Sequence, residues 1–145
     1  QMMESMIAQV EKTSPEAGKA LNMLADAGCV LGNQMVLLKG INTKPAVVVE
    51  MNRWLLRHRC RPYYILHCDA APGVAHFRTS LDDGRRVIKA LRGHVSGLAV
   101  PQYVVDLSGG GGKVPVVPDY LIAEGPGEVV FRNYQGRAHG LTQPQ

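Results

Sequence analysis

The sequence is short of the residues that would mark a metal centre or a membrane span. Its 145 residues include three cysteines, Cys29, Cys60 and Cys68, at spacings that match no zinc or iron–sulfur motif. The five histidines pair with no other ligand at a recognised spacing, so the sequence predicts no metal site. Long apolar runs and a signal-peptide pattern are also missing, which predicts a cytoplasmic protein with no membrane partner.

The excess of positive over negative charge is also small. The net charge is +4, and the densest cluster comprises Arg53, Arg57, His58, Arg59 and Arg61. This cluster falls on one predicted helix and the strand after it, and aromatic residues do not alternate with the arginines. A solvated helix face is therefore favoured over a nucleic-acid partner. Length and composition fit one soluble globular domain of ordinary size.

What the chain does have is Lys113 at the end of four consecutive glycines, Gly109, Gly110, Gly111 and Gly112. A phosphate-binding P-loop is excluded, because that motif continues with Ser or Thr and a helix, whereas Val114 and Pro115 follow here. Glycine backbone can take positive φ and lie against a ligand, and a lysine amine can form a Schiff base with an aldehyde such as pyridoxal phosphate. A flexible hairpin with a solvated lysine is the alternative interpretation.

Helix and strand signals alternate and predict an α/β fold. Ser14, Pro45 and Ser80 mark the starts of helices, and short apolar runs at 35–38 and 63–66 are typical of strands buried on both faces of a parallel sheet. Strand, helix and strand of these lengths form a βαβ unit, as in a parallel sheet or barrel. The second half is strand-like over 98–106, 120–123 and 129–134, with glycine turns between.

Three polar residues lie at the ends of these predicted strands. Asp69 follows the second buried strand, and Asp106 stands just before the glycines. Carboxyl ends of parallel strands are where α/β folds bind ligands, so Asp69 is a candidate ligand residue. An aspartate in such a place is also a common turn or capping residue, and both interpretations stay open. Gln34, before the first buried strand, is equally ambiguous.

A series of motifs follows in order along the chain. They are Gly-Asn-Gln at 32–34, Arg-Pro-Tyr-Tyr at 61–64, Cys-Asp at 68–69, His-Phe-Arg-Thr at 76–79, Leu-Arg-Gly-His at 91–94, the glycines with Lys113, and Val-Phe-Arg-Asn-Tyr at 130–134. Together they resemble the C-terminal part of the lysine 2,3-aminomutase family. Its members are radical S-adenosylmethionine enzymes that also use pyridoxal phosphate.

The resemblance implies roles for particular residues. It implies that Lys113 holds pyridoxal phosphate as an aldimine, with the four glycines beside the cofactor. It implies that Asp69 and Asp106 bind the distal ammonium of L-lysine or another basic amino acid, and that Gln34 lies near S-adenosylmethionine. The implied isomerase reaction moves the α-amino group of lysine to the β-carbon by a radical mechanism, after an iron–sulfur [4Fe–4S] cluster has cleaved S-adenosylmethionine.

The implied fold places the closing βα units of a partial radical-SAM barrel in residues 1–75. A mixed strand and helix segment with the cofactor lysine follows in residues 76–145. The family's Cys-x3-Cys-x2-Cys cluster motif is absent from this sequence, so the implied partner is an N-terminal radical-SAM half, from the same gene or a separate chain. A homo-oligomer is implied for the complete enzyme. Two alternatives stay open: a catalytically silent fragment that acts as a cofactor or interaction module, and an aminomutase for another amino acid or a protein lysine.

Overall fold

The computed structural model describes residues 15–142 and confirms the α/β class. In the first part helices alternate with strands: α1 (Pro15–Asp26), β1 (Leu31–Leu37), α2 (Pro45–Arg57), β2 (Cys60–His67), α3 (Leu81–Leu91) and β3 (Gln102–Leu107). The second part is built of strands: β4 (Gly112–Pro115), β5 (Leu121–Gly125), β6 (Glu128–Arg132) and β7 (Ala138–Thr142). Ser14, the predicted cap of α1, lies outside the described residues.

The strands form two sheets. The larger sheet has the order β1-β2-β3-β4, in which β1, β2 and β3 are parallel and β4 is antiparallel to β3. The carboxyl ends of β1, β2 and β3 therefore lie at one edge, as expected for the predicted βαβ unit. The smaller sheet is an antiparallel meander in the order β5-β6-β7. The larger sheet takes strands from both sides of residue 75, and a domain boundary there stays a prediction.

Helices α2 and α3 pack on one face of the larger sheet and form the core with it. Pro45 occupies the first turn of α2, and α3 begins with a capping box in which the side chains of Ser80 and Asp83 bond to each other's backbone N–H groups. The core cluster consists of Leu37, Val48, Ile65, Val87, Ile88, Leu91 and Tyr103. No helix within residues 15–142 is long and apolar enough to cross a membrane.

The opposite face of the larger sheet, called the open face below, carries the side chains that alternate with these core residues. Leu37 and Ile65 point into the core, so Val36 and Tyr64 point to the open face. Burial of β1 on both faces was expected from its apolar run, and it is not observed, since Val36 is 38% exposed. The physical reason is that α2 and α3 both lie on the other side of the sheet.

Three segments of the second half differ from the sequence-based prediction, and one of them is β4, which was not predicted as a strand. The predicted strand over 98–106 begins later, because Gly97–Ala99 forms a 3-10 turn whose Leu98 N–H is bonded by the Ser96 side chain. Strand β7 was not predicted, since its glycine and alanine content is atypical of strands. It forms because its backbone pairs with β6 in antiparallel register along the whole strand, with Phe131 opposite His139.

Candidate active site

The candidate site is built on the hairpin of β3 and β4. Asp106 and Lys113 are opposite each other in the antiparallel register, so their side chains stand on the same face. Lys113 Nζ donates to Asp106 Oδ2 at 2.8 Å. Both side chains stay partly accessible, at 39% for Lys113 and 45% for Asp106. The structure therefore brings together two of the residues singled out from the sequence, and it joins them directly.

Three of the four glycines lie in the turn of this hairpin, and the fourth, Gly112, begins β4. Leu107 pairs with Gly112, and the turn spans residues 108–111. Gly109 and Gly110 take φ values of 69° and 84°, which a residue with a Cβ rarely adopts. Lys113 does not sit on the loop itself, as its sequence position suggested, but is the second residue of β4. The segment thus forms a hairpin, in which the lysine is paired rather than simply solvated, and its cofactor role stays a prediction.

Asp69 lies at the same edge of the sheet as this pair. It follows β2, which runs parallel to β3, and it is exposed. Its negative charge contributes to the raised pKa of Lys113, so the two groups lie within electrostatic range. Within residues 15–142 no donor forms a hydrogen bond with the Asp69 carboxylate. The two aspartates therefore differ, since Asp106 already holds an ammonium group and Asp69 does not.

The surroundings of Lys113 favour its charged form. The hydrogen bond that Lys113 donates to Asp106 and the charge of that carboxylate raise the pKa of Lys113, and electrostatic interactions with Tyr64 and Asp69 add to the effect. An ammonium group is not nucleophilic, so the lysine must lose a proton before it can attack a carbonyl carbon. At Gly109, Gly110 and Gly112 no atom lies within 4 Å of the place of a Cβ, so the backbone of this segment is uncrowded. An accessible amine next to an uncrowded backbone fits the aldehyde group of pyridoxal phosphate.

Gln34 and two tyrosines share the open face with this pair. Gln34 is exposed on β1 and is in register with Tyr64 of β2. A β-bulge at this point leaves Tyr63 without a partner on β1, so Tyr63 and Tyr64 lie side by side, with hydroxyls 3.2 Å apart. Tyr64 and Lys113 influence each other's pKa, which places the phenol in the neighbourhood of the lysine. Sequence reasoning missed this tyrosine pair, although the Arg-Pro-Tyr-Tyr motif contains it.

His67 and Tyr103 form a partly buried polar contact on the helix side of the sheet. Tyr103 Oη and His67 Nδ1 are 2.7 Å apart. Burial raises the pKa of Tyr103 to about 12, so the phenol stays protonated and donates to the imidazole. Burial and the positive charge of Arg78 lower the pKa of His67, which keeps the ring neutral. This contact fixes the end of β2, two residues before Asp69, and no motif in the sequence signalled it.

The cysteines of the described residues do not fit an iron–sulfur cluster. Cys29 is exposed, whereas Cys60 and Cys68 are buried at opposite ends of β2. At roughly 3.3 Å per residue these two thiols are separated by about 25 Å along the strand, whereas the ligands of one cluster must converge. Within residues 15–142 no group of three or more His, Cys, Asp or Glu residues could hold a metal ion.

Comparison with known proteins identifies the family. A family model described as lysine-2,3-aminomutase matches residues 88–145. The chain is 50% identical to the L-lysine 2,3-aminomutase of Fusobacterium nucleatum over 135 residues, which are 93% of this chain and 32% of that protein. It is 48% identical to the L-lysine 2,3-aminomutase of Methanococcus maripaludis over 129 residues, 89% of this chain and 30% of that protein.

A protein with a different named substrate is also similar. The chain is 44% identical to the glutamate 2,3-aminomutase of Clostridioides difficile over 122 residues, which are 84% of this chain and 29% of that protein. The chain spans about a third of the length of the curated relatives that it matches. The chain therefore belongs to the lysine 2,3-aminomutase family, and it matches the C-terminal part of that family.

Proposed function

We propose that this chain supplies the cofactor lysine and the substrate-ammonium subsite of an L-lysine 2,3-aminomutase. The proposed reaction moves the α-amino group of L-lysine to the β-carbon by a radical mechanism. The observation that carries the proposal is the convergence of Lys113, Asp106 and Asp69 at one edge of the sheet, with 2.8 Å between Lys113 Nζ and Asp106 Oδ2. Membership of the aminomutase family supports the assignment of the reaction.

Lys113 is the residue proposed to hold pyridoxal phosphate. When bound, this cofactor supplies an aldehyde that condenses with amines and a conjugated ring that delocalises an unpaired electron. Lys113 suits the attachment because its amine is accessible on the open face. The residue lies in the extended strand β4, which fixes the direction of its side chain. The glycines Gly109, Gly110, Gly111 and Gly112 form the turn of the hairpin and the start of β4, and at three of them nothing lies within 4 Å of the place of a Cβ.

Asp69 and Asp106 are proposed to select the substrate by charge. A side-chain ammonium between two carboxylates forms charge-assisted hydrogen bonds, which are stronger than bonds between neutral groups. A glutamate side chain would instead meet two negative charges, a penalty on the order of several kcal/mol when the site is closed to water. Although one similar protein is named for glutamate, this pair of charges favours L-lysine, with another basic amino acid as its nearest competitor.

The radical is proposed to originate outside the described residues. Gln34 lies on the open face and is the residue of this chain assigned to S-adenosylmethionine. The cysteines at the two ends of β2 do not converge, so the [4Fe–4S] cluster is assigned to an N-terminal radical-SAM half. The open face of the sheet would then line the interior of a barrel that the other half completes. Cytoplasmic location and a homo-oligomeric complete enzyme stay predictions.

One alternative function has a specific observation in its favour. The ion pair with Asp106 keeps Lys113 protonated, which is also what a merely structural lysine at a hairpin would show. A module that binds no substrate could keep this pair for stability alone. The alternative predicts that the exposed carboxylate of Asp69 has no effect on lysine turnover, and the kinetic experiment below separates the two functions.

We expect that Asp69→Asn and Asp106→Asn each raise the KM for L-lysine more than tenfold in the full-length enzyme. The loss of one carboxylate from an ammonium subsite removes a charge-assisted bond, and tenfold corresponds to about 1.4 kcal/mol. Steady-state kinetics with saturating cofactors measure the effect. Asp82→Asn is the matched control, since Asp82 is exposed on α3, which packs on the opposite face of the sheet, and pairs with Arg85. If the KM for L-lysine is unchanged in both variants, the aspartates do not bind the substrate, and their interpretation as turn or capping residues is favoured.

A further inference from the structure

The contact between His67 and Tyr103 lies where the pairing of β2 with β3 ends. The last backbone pair of these strands is Leu66 opposite Val104. The next residue, His67, is linked to β3 by its side chain instead, with 2.7 Å between Nδ1 and Tyr103 Oη. This side-chain bond therefore extends the attachment of β2 to β3 by one residue beyond the ladder.

Tyr103 is a rigid support for this bond. The residue is 1% exposed, and its ring fills the space that a Cβ on Gly84 of α3 would take, 2.1 Å from Cζ. Tyr103 belongs to the core cluster and is in register with Ile65, two residues before His67. The packing of α3 and β3 thus fixes the imidazole and, through it, the end of β2.

Asp69 depends on this attachment for its position. It follows His67 by two residues, so their Cα atoms are at most about 7 Å apart. Its backbone C=O accepts a hydrogen bond from the Ala71 N–H at 3.1 Å, but its carboxylate accepts none from the described residues. The charge of the carboxylate acts on both His67 and Lys113, which stand on opposite sides of the sheet. The course of the chain at the end of β2 therefore places this carboxylate.

We propose that His67, held by Tyr103, is a positioning residue for the substrate ammonium: the neutral imidazole fixes the end of β2 and leaves the Asp69 carboxylate free for L-lysine. A protonated imidazole would place a positive charge beside that carboxylate and repel the ammonium of L-lysine. This inference rests on the proposed function, because it takes Asp69 as a ligand of the substrate ammonium. It adds a residue on the helix side of the sheet and a dependence on pH.

The surroundings of His67 determine when this charge appears. Charged and titratable groups act on the contact from several elements: Tyr103 from β3, Asp69 from the segment after β2, Arg78 from the segment before α3, and Asp83 and Arg85 from α3. Burial and the charge of Arg78 lower the pKa of His67, whereas the charge of Asp69 raises it less. The imidazole is therefore neutral at neutral pH, and the affinity for L-lysine should fall as the pH drops through the pKa of His67.

The first test measures steady-state kinetics of the full-length enzyme at pH 7.5. His67→Leu removes the acceptor and Tyr103→Phe removes the donor, and each is expected to raise the KM for L-lysine at least fivefold with less than a twofold change in kcat. Tyr103→Phe keeps the ring that fills the core, so it tests the bond even if His67→Leu does not fold. His67→Gln keeps an acceptor for the hydroxyl and should stay within twofold of the wild type. His139→Gln, in the smaller sheet, is the matched control and should not change the KM.

The second test follows the affinity for L-lysine from pH 7.5 to pH 5.0. Titration calorimetry is carried out on the full-length protein loaded with pyridoxal phosphate, without a reductant. The Kd of the wild type should rise at least threefold more than that of His67→Gln, which cannot take up the proton. The other titrating groups are the same in both proteins, so the difference isolates the imidazole. By linkage, bound L-lysine should lower the pKa of His67, which NMR of labelled imidazole measures.

The outcomes separate this inference from the proposed function. An unchanged KM for L-lysine in Asp69→Asn overturns the ammonium subsite itself. If Asp69→Asn raises the KM but Tyr103→Phe and His67→Leu behave like the wild type, the subsite stands and the positioning role of His67 is wrong. If these two variants raise the KM but the wild type and His67→Gln respond equally to pH, the dependence on the charge of the imidazole is overturned.

Discussion

Replacement of Lys113 by alanine is expected to abolish covalent capture of pyridoxal phosphate by the full-length protein. The amine of Lys113 is accessible and stands next to an uncrowded glycine turn, and a methyl group cannot condense with an aldehyde. Borohydride reduction followed by peptide mass spectrometry locates the bound cofactor. The wild type should carry the label on Lys113, and the variant should carry none.

Two other lysines serve as controls for this result. Lys39 follows β1 at the carboxyl edge of the sheet, and Lys89 lies on the exposed side of α3. Lys39→Ala and Lys89→Ala should both retain the label on Lys113 in full. A label found on Lys39 in the wild type would mean that another lysine at this edge of the sheet holds the cofactor, and the assignment of Lys113 would be wrong.

Substitution of Gly84 by alanine is expected to destabilise the fold by about 2–3 kcal/mol, because overpacking of a core costs energy in this range. A Cβ at this position would lie 2.1 Å from Cζ of Tyr103. The ring cannot move aside cheaply, since Tyr103 is 1% exposed and its hydroxyl lies 2.7 Å from His67 Nδ1. Urea unfolding followed by circular dichroism measures the loss in the free energy of unfolding.

The control for this clash is Gly97→Ala. No atom lies within 4 Å of the position that its Cβ would take, so the stability should change by less than about 0.5 kcal/mol. Relief of the clash provides a second check, because Gly84→Ala combined with Tyr103→Leu should be more stable than the two separate losses predict. A Gly84→Ala protein as stable as the wild type would contradict the described packing of α3 on β3.

The elements that the sequence predicted well are those with strong local signals. Pro45 at the start of α2 and Ser80 with Asp83 at the start of α3 define helix beginnings by capping chemistry, which acts within a few residues. The strand–helix–strand order of the first half predicted a parallel pairing of β1 and β2, which the structure confirms. The partial barrel implied by the resemblance stays a proposal, since the described residues form an open four-stranded sheet.

The contacts that sequence reasoning missed depend on register and packing. The distance of seven residues from Asp106 to Lys113 does not by itself predict an ion pair, because the pairing follows from a turn that places Leu107 opposite Gly112. The neighbouring positions of Tyr63 and Tyr64 depend on a bulge, which re-aims one side chain without a clear sequence signal.

The residues of the candidate site were recognised from the ordered series of motifs, and not from the hydrophobic, charge or capping pattern around each residue. Asp69, Asp106 and Lys113 each had an ordinary structural interpretation as a turn, cap or solvated residue, and only the ordered resemblance favoured a shared site. The structure adds that both carboxylates lie within electrostatic range of Lys113. Local sequence could not show this, because the residues come from β3, β4 and the segment after β2, whose arrangement is set by the sheet.

The most direct test of the central claim is an assay of the isomer formed by the full-length protein. The protein is incubated without oxygen with pyridoxal phosphate, S-adenosylmethionine, a reductant and either L-lysine or L-glutamate, and the products are identified by mass spectrometry and NMR. The charges of Asp69 and Asp106 predict that L-lysine is converted to the isomer with its amino group on the β-carbon, in strong preference to L-glutamate. Preferential conversion of glutamate, or no isomer from lysine in a protein that has bound its cofactors, would contradict the account.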